Sequence, residues 1–406
     1  MKYFSLQHVF FGALIACGQL TASVTAATYE ITSLGTLGGA TSSALDVNNN
    51  RQVTGNSLVT SDPGATGSLL RAYNWSPTTG PMVHLGALPD ATTNRFARGY
   101  AINDSGVVVG EFNNDASRAF VYDPLVGAMT GLTRLAGDND RGVAHDINNA
   151  GVIVGISSNG SVNRATKWTG GVAADLGTIA GTPTATGRAW AINQNGAAAG
   201  LSTNSDGTSQ ATLWHGGSIV NLTSLGDGTR FSQAFGLNDS SVVVGSSSTG
   251  QTVGELIGSS STTSITRAFV WQGGAMTELE PFNLYTPANI GATTNYHSVA
   301  MDVNNAGLVV GNSQRIAGSA AVATLWMNGT PIDLNTLLPA GSGWNLLSAE
   351  GISANGDIVG FGTFGGSNQA FLLTAVPEPA SLALAGSAMA AGLLMRRNRR
   401  SDDASS

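Results

Sequence analysis

The chain has 406 residues, a net charge of −7 at neutral pH, and only 11% charged residues. This acidic balance gives no overall basic field that would attract phosphates, which argues against a nucleic-acid partner. Hydrophobic residues make up 42% of the chain and glycine occupies 54 positions, so the composition favours a large core in a turn-rich β protein. Cys17, the only cysteine, lies in the N-terminal leader, and we therefore expect no disulfides in the exported chain.

The first 27 residues have the layout of a secretory signal peptide. Lys2 precedes the apolar stretch Val9–Ile15, and a run of small residues follows up to Ala26 and Ala27. This order predicts cleavage near Ala26 or Ala27. The four residues that end at Cys17 also resemble a lipoprotein box, which leaves acylation of that cysteine as an alternative.

Seven copies of one pattern occupy the middle of the chain. In each copy an apolar residue and a polar residue precede a short turn. Three mostly apolar residues follow the turn, and a glycine comes directly after them. The copies begin at Val47, Ile102, Ile147, Ile192, Leu237, Val303 and Ile352, and the glycines are Gly55, Gly110, Gly155, Gly200, Gly245, Gly311 and Gly360. Successive copies lie 45 to 66 residues apart, a period that fits a four-stranded propeller blade and exceeds one coil of a β-helix.

The second copy shows most clearly that each repeat predicts four short strands. Its segments are Gly99–Asn103, Val107–Phe112, Arg118–Tyr122 and Met129–Leu132, with a glycine-containing turn between the first two. Three consecutive valines in the second segment indicate a strand that is covered on both faces. We therefore predict an all-β fold, a seven-bladed β-propeller of four-stranded blades over residues 28–375.

The seventh copy reaches the C-terminal tail without a fourth strand. Ile31–Leu37, near the start of the exported chain, resembles the fourth segment of other copies, such as Asn221–Gly226. An N-terminal strand in the last blade would cover two sheet edges that an open array leaves free to pair with other chains. We predict that this strand closes the ring.

The repeats also resemble a known family. The second copy, with Ile102–Asn103, Val107–Gly110 and Arg118–Tyr122, resembles the HAF family of extracellular repeats, and the resemblance covers about Tyr29 to Thr374. It implies a secreted, repetitive protein and no established reaction.

Three turns resemble calcium loops, namely Asp46–Asn50, Asp146–Gly151 and Asp302–Gly307. Calcium prefers several oxygen ligands with more than one carboxylate, whereas the fifth position here is Asn or Ala and no Glu closes the loop. A hairpin turn in which an Asp or Asn side chain bonds the backbone is therefore favoured, with calcium binding as the alternative. Since the histidines lack metal-ligand spacing and no catalytic motif is present, we predict no metal, no cofactor and no catalytic residues.

Arginines mark one rim of the predicted propeller as a candidate ligand face. Arg71, Arg118, Arg164 and Arg267 open the third strand in four copies, and Arg98 and Arg188 precede the first strand. The longest insertions, about 58–70, 246–266 and 280–296, leave from the same rim. This rim would suit an anionic partner such as an acidic exopolysaccharide. The favoured alternative is that each arginine caps a strand or pairs with a nearby carboxylate.

Aromatic residues recur in the third strands. They are Trp75, Phe120, Tyr122, Trp168, Trp214, Phe269, Trp271 and Trp326. A fixed place in the repeat favours packing between blades over a ladder for stacking sugars.

The C-terminal segment, residues 376–406, contains a short motif, an apolar stretch and a basic cluster, in that order. These are Pro377, Glu378 and Pro379, then Ala380–Met395, then Arg396, Arg397, Arg399 and Arg400. A helix over the apolar stretch rises about 24 Å, and snorkelling arginines would let it cross a membrane once. The segment resembles the PEP-CTERM sorting signal. This resemblance implies recognition by an exosortase, removal of the tail, and delivery to the surface or extracellular matrix of a Gram-negative, biofilm-forming bacterium.

The sequence favours a non-enzymatic surface or matrix protein that presents a propeller face to a partner such as a polysaccharide. The alternative is a carbohydrate-active hydrolase or lyase with its site at a mouth of the central channel. Three or more carboxylates, histidines or tyrosines that converge there would favour the enzyme, and a lining of Ser, Thr and Gly would contradict it.

Overall fold

The computed structural model describes residues 28–60, 70–89, 96–113, 116–252, 264–282, 297–314 and 320–376. No α-helix occurs among them, and their strands form seven antiparallel sheets of four strands each. This arrangement confirms the predicted all-β propeller of seven four-stranded blades. The described ranges contain no helix long and apolar enough to cross a membrane. The predicted leader, membrane segment and sorting motif all lie outside them.

The blades follow one another along the chain, after strand β1 (Tyr29–Gly35). The first comprises β2 (Gly38–Val47), β3 (Val53–Val59), β4 (Leu70–Trp75) and β5 (Val83–His84), and the second β6 (Phe96–Ile102), β7 (Val108–Asn113), β8 (Ser117–Asp123) and β9 (Ala128–Gly131). The third comprises β10 (Arg141–Ile147), β11 (Ile153–Ser158), β12 (Asn163–Thr169) and β13 (Val172–Asp175), and the fourth β14 (Gly187–Ile192), β15 (Ala198–Thr203), β16 (Ser209–His215) and β17 (Ser218–Thr223). The fifth comprises β18 (Ser232–Leu237), β19 (Val243–Thr252), β20 (Ser264–Gln272) and β21 (Ala275–Glu278), and the sixth β22 (Ser298–Val303), β23 (Val309–Gln314), β24 (Ala321–Met327) and β25 (Thr330–Asp333). A 3₁₀ helix at Leu334–Leu337 leads to the seventh, which comprises β26 (Trp344–Ile352), β27 (Ile358–Phe364) and β28 (Ser367–Ala375).

Strand β1 lies in the seventh blade, as its fourth strand. It pairs antiparallel with β28, so that Tyr29 faces Ala375 and Ile31 faces Leu373. Leu34 of β1 is buried in an apolar cluster with Val359 of the same blade and Ala44 of the first blade. Strand β2 also contacts β26 and β28, so the first and last blades pack directly against each other.

Every first strand contains a β-bulge at the same place. The pairing of β10 with β11 runs from Ala144 opposite Gly155 to Asp146 opposite Val154, so the residue between is skipped. The skipped residues are Leu45, Tyr100, His145, Trp190, Phe235, Met301 and Glu350. A bulge re-aims its side chain, and here two consecutive residues of the first strand line the central axis in every blade but the fifth, where Phe235 does so without the residue after it.

The bulge explains why each repeat needs its glycine. A Cβ on Gly155 would collide with the carbonyl oxygen of Val143 on the neighbouring strand. The same collision with a first-strand carbonyl would occur at Gly55, Gly110, Gly200, Gly245, Gly311 and Gly360. The repeat glycine is therefore a consequence of close approach between the first two strands of each blade.

The third-strand aromatics form the core between blades, which confirms the predicted packing. Trp168 is 1% exposed and packs in one cluster with Ala101 and Val109 of the preceding blade. Its indole nitrogen donates to the carbonyl oxygen of Thr133 at 2.6 Å. Trp326, Phe120 and Phe269 are fully buried in the same way.

Candidate functional site

Two cavities lie on the axis of the propeller, lined by residues from its first strands and the turns after them. The first, which we call the cup, has a volume of about 380 Å³ and is lined by the turn residues of all seven blades. The second, which we call the waist, has a volume of about 120 Å³ and is lined by the bulge residues and those that follow them. A ring of aliphatic side chains, such as Ile102 and Leu237, lies between the two.

The wall of the cup is a chain of asparagine side chains that links neighbouring blades. The Asn148 Oδ1 accepts from the backbone N–H groups of Ala150 and Val152, which holds the turn in shape. Its Nδ2 donates to the carbonyl oxygen of Asn193 in the next blade at 3.1 Å. Asn48, Asn103, Asn193, Asn238 and Asn304 make the same link between blades. The predicted bond from a turn side chain to the backbone is thus confirmed, and its link to the next blade is new.

The seventh blade departs from this pattern because Ser353 replaces the asparagine. Its hydroxyl accepts from the N–H of Asp357 at 3.1 Å and is too short to reach the first blade. The Asp357 carboxylate, nearly fully buried, instead pairs with Arg51 of the first blade at 3.2 Å. An ion pair therefore takes the place of the amide link at the junction of the last and first blades.

The rim of the cup is a second circle of polar side chains, one residue further along each turn. Its members are Asn49, Asp104, Asn149, Gln194, Asp239, Asn305 and Ala354. The backbone N–H of Asp104 donates to Asn149 Oδ1, and the N–H of Asn149 donates to Gln194 Oε1, both at 2.9 Å. Ala354 is the gap in this circle, since it has no polar side chain. The rim amides are exposed and retain unused N–H groups, while the carboxylates of Asp104 and Asp239 offer further lone pairs.

The waist combines aromatic rings with carboxyl groups. Tyr100, His145, Trp190 and Phe235 come from four consecutive blades and form an arc, with ring centroids separated by 5.6, 6.3 and 5.1 Å in that order. Asp46, Asp146, Asp302 and Glu350 line the same cavity.

The three waist aspartates join neighbouring blades through backbone amides. The Asp146 Oδ1 accepts from the N–H of Ile147, and its Oδ2 accepts from the N–H of Ile192 in the next blade, both at 2.7 Å. Asp46 and Asp302 make the equivalent bonds to the second and seventh blades. The sequence pattern predicts that these aspartates lie in the turns, whereas the bulge directs them to the axis.

Burial determines how these carboxyl groups titrate. It raises the pKa of Asp46 to about 7 and that of Asp302 to about 6, although the backbone N–H bonds oppose the shift. Burial also raises the pKa of Asp146, and the nearby charges of Asp46 and Asp302 add to the increase. The folded protein therefore holds protons that the unfolded chain has already released.

We expect the protein to be less stable at about pH 8 than at about pH 5. An unfolded aspartate loses its proton near a pKa of about 3.9, whereas these folded aspartates keep theirs to higher pH. The free energy of unfolding should accordingly fall as pH rises through this interval, until the folded groups are also ionised. Urea denaturation at the two pH values measures the difference.

Asp46→Asn should reduce this loss of stability, because it removes one of the titrating groups. It should also cost about 1 kcal/mol, since the amide nitrogen cannot accept the second backbone bond. Asp206→Asn is the matched control, because a hydrogen bond from the N–H of Thr208 lowers the pKa of this exposed carboxyl and places its titration below the interval. Equal pH dependence in the wild type and in Asp46→Asn would contradict the assignment.

Three arginines of the candidate ligand face, Arg71, Arg164 and Arg267, already have partners within the protein. Arg71 is fully buried and donates to the carbonyl oxygen of Leu70, while Arg267 lies 3.2 Å from Glu278. Arg164 lies 2.6 Å from Asp138.

The remaining three arginines of that face lie in the first or the third strand of their blades. Arg98 in β6 lies 3.8 Å from the buried carboxylate of Glu111, which also pairs with Arg141 at 3.1 Å. Arg118 lies in β8, and Arg188 lies in β14, two residues before a waist residue. The insertions of this face fall largely outside the described residues.

The channel is not lined by Ser, Thr and Gly. The rim of the cup has two carboxylates, and the waist has four carboxyl groups with His145 and Tyr100. Within the described ranges, no group of three or more His, Cys, Asp or Glu side chains is arranged to hold a metal ion.

Comparisons with known proteins identify the tail. Residues 375–400 match the model of the PEP-CTERM protein-sorting motif. The chain carries a PEP-CTERM sorting signal. Such motifs are recognised by exosortase-type sorting enzymes, and the signal indicates an exported, envelope-associated protein. No curated protein matches the chain.

Solved structures show likeness in fold alone. TolB from Acinetobacter baumannii is 12% identical with a TM-score of 0.39, and the match covers 73% of this chain and 62% of TolB. A puromycin hydrolase is 12% identical with a TM-score of 0.45, over 81% of this chain and 51% of the hydrolase. A six-bladed lectin from Aleuria aurantia is 15% identical with a TM-score of 0.30, over 77% of this chain and 98% of the lectin. The chain thus spans less than two thirds of the first two proteins.

Proposed function

We propose that this protein is a non-enzymatic component of the cell surface or extracellular matrix that binds a hydroxyl-rich glycan in the cup. The observation that carries the proposal is the rim, where spare N–H donors and carboxylate lone pairs from six of the seven blades surround one cavity. Sugar hydroxyls both donate and accept hydrogen bonds, so a lining of this kind suits them. The aliphatic ring beneath would contact the apolar face of a sugar ring.

The sorting signal supports the proposed location. The expected route is export with the signal peptide of residues 1–27, transient anchoring through Ala380–Met395, and release by an exosortase in a Gram-negative envelope. The resemblance to HAF repeats fits a secreted protein. We further propose that β1 closes the ring after export, before the tail is removed.

The size of the cup fits this kind of ligand. Its volume of about 380 Å³ corresponds to roughly twelve water molecules at about 30 Å³ each, which is enough for the end of a glycan chain. Because most arginines of the opposite rim are paired, an acidic polysaccharide on that face is the second choice of partner.

Filling the cup should weaken glycan binding. Ala354→Tyr places a ring in the gap of the rim, where the exposed alanine has no side-chain hydrogen bond to lose. We expect at least about a tenfold loss of affinity, equivalent to about 1.4 kcal/mol. A glycan array identifies the ligand, and calorimetry then compares the two proteins.

Ala150→Tyr is the matched control for this experiment. It puts the same side chain on an equally exposed turn position outside the lining of the cup, and it should bind like the wild type. Equal binding by Ala354→Tyr, or a glycan signal confined to acidic sugars and lost in Arg188→Ala, would contradict the cup as the site.

The waist favours an enzyme as the second candidate, because four carboxyl groups, a histidine and a tyrosine converge there. Two observations weigh against a hydrolase or lyase. Both oxygens of each waist aspartate already accept backbone bonds, and the cavity is too small for a sugar ring with its substituents. Release of new reducing ends or unsaturated sugars from a bound glycan, abolished by Glu350→Gln, would establish the enzyme instead.

A further inference from the structure

The waist offers hydrogen-bond acceptors and aromatic faces, and none of the residues that line it is a lysine or an arginine. Its aromatic arc presents the rings of Tyr100, Trp190 and Phe235 around the axis. The face of an aromatic ring attracts cations through its quadrupole, most strongly where water is displaced. The lining is therefore complementary to a positively charged group.

His145, half-buried in the lining of the waist, supplies a ring nitrogen that can accept a hydrogen bond. Its Nδ1 lies 2.8 Å from the carbonyl oxygen of Ala189. A carbonyl oxygen only accepts, so Nδ1 carries the proton and Nε2 has a free lone pair. Burial lowers the pKa of His145 to about 4, so the ring is neutral at physiological pH. No hydrogen bond engages Nε2 within the described residues, so its lone pair is available to a donor from a ligand that displaces water from the waist.

The carboxyl groups of the waist supply hydrogen-bond acceptors to the same cavity. Burial raises the pKa of Asp46, Asp146, Asp302 and Glu350, and a cation bound beside them would favour their ionised, negatively charged form. Glu350 lies on the opposite side of the axis from the aromatic arc, as the bulge residue of the seventh blade. Ser348 donates a hydrogen bond to this side chain, which leaves further lone pairs for another donor. Asp46, Asp146 and Asp302 complete the acidic lining.

The volume limits what can enter. About 120 Å³ corresponds to roughly four water molecules at about 30 Å³ each. This space accepts an ammonium group with a few carbon atoms and excludes a larger ring system. A hydrated metal ion is not favoured either, since no described cluster has the arrangement for one.

Two guanidinium groups act electrostatically on His145, that of Arg141 on the same strand and that of Arg188 on β14 of the next blade. Arg141 pairs with Glu111 at 3.1 Å, so its charge is neutralised locally. Arg188 has no ion-pair partner in the described residues. Its charge opposes a cation in the waist and would favour an anion, which makes it a useful probe of the sign of the ligand.

We propose that the waist binds a small organic cation, an alkylammonium group, held by the Glu350 carboxylate, the Nε2 atom of His145 and the faces of Trp190 and Phe235. Such a group occurs on free amines, on amino sugars and on quaternary ammonium head groups. This site is separate from the cup, and its existence does not depend on glycan binding there.

Calorimetric titration of the full-length protein with methylammonium and with tetramethylammonium chloride, at constant ionic strength, tests the proposal. Both cations should bind, and sodium acetate should not. Glu350→Gln keeps the shape of the side chain and should weaken binding of both cations by about tenfold. Trp190→Leu should weaken tetramethylammonium binding by about fivefold, because that cation relies on ring faces rather than hydrogen bonds.

Arg188→Ala and Asp227→Asn complete the experiment. Removing the unpaired guanidinium should tighten binding of both cations, a gain that a misfolded variant could not produce. Asp227, an exposed carboxylate paired with Arg230, lies away from the waist, and its replacement should change nothing. The proposal is overturned if neither cation binds the wild type, if acetate binds in their place, or if Glu350→Gln and Arg188→Ala leave affinity unchanged. Preference for methylammonium would indicate a primary amine as the natural ligand, and preference for tetramethylammonium a quaternary head group.

Discussion

Gly155→Ala should lower the free energy of unfolding by about 3 kcal/mol, near the upper end of the usual range for overpacking. The added methyl group would meet the carbonyl oxygen of Val143, which is backbone and fixed by the bulge in β10. No rotation of a side chain can relieve this collision, so β10 and β11 must separate. The loss should appear in urea denaturation of the purified protein as a lower midpoint with an unchanged slope.

Gly151→Ala separates this collision from the general effect of replacing a glycine. Gly151 has a φ of 75°, and a Cβ there would meet nothing within 4 Å. The substitution should cost only about 1 kcal/mol, the penalty for an alanine in left-handed backbone. If the two variants lose equal stability, close approach at the bulge is not the reason for the repeat glycine.

The fold could be predicted because its strongest requirements are local and recur. Asn148 and Gly155 keep their spacing in nearly every copy, since each blade needs the same turn and the same close approach. The bulge could not be predicted, because it depends on hydrogen-bond register between two strands, which apolar alternation does not encode. As a result Asp146 was assigned to a turn, although it lies on the axis and bonds Ile192 in the next blade.

One signal in the sequence could have located the waist. The position of His145 holds seven different residue types in the seven copies, although the residue before it is alanine in six copies and the residue after it is always Asp, Ala or Gly. A position whose residue type varies this much is not constrained by packing between blades. Such a side chain must therefore point away from the neighbouring blades, and the central axis offers that space. The repeat has Ser353 in place of asparagine in the seventh copy. The ion pair of Arg51 with Asp357, which joins the blades there instead, could not be predicted, because the two residues are too far apart in the chain to be connected by the repeat pattern.

Removing strand β1 should prevent cooperative folding, which is the largest effect we expect. Tyr29 and Leu34 are 4% and 3% exposed, and burial of each such side chain contributes about 1.5–3 kcal/mol. With the backbone bonds to β28, the loss approaches the whole stability of a typical domain, about 5–15 kcal/mol. Chains that begin at Thr28 and at Thr36, both expressed without the leader, provide the comparison by circular dichroism and urea denaturation.

Deletion of Ala380–Arg400 is the matched control, because it removes more residues than the loss of Thr28–Gly35 and none that belongs to the described strands. It should leave the urea midpoint unchanged and abolish sorting of the exported protein, whereas the chain from Thr36 should lose its midpoint and aggregate through the uncovered edge of β28. Cooperative unfolding of the shortened chain at the wild-type midpoint would mean that three strands suffice for the last blade. The ring would then be held by the contacts of β2 with β26 and β28, and by the ion pair of Arg51 with Asp357, rather than by its N-terminal strand.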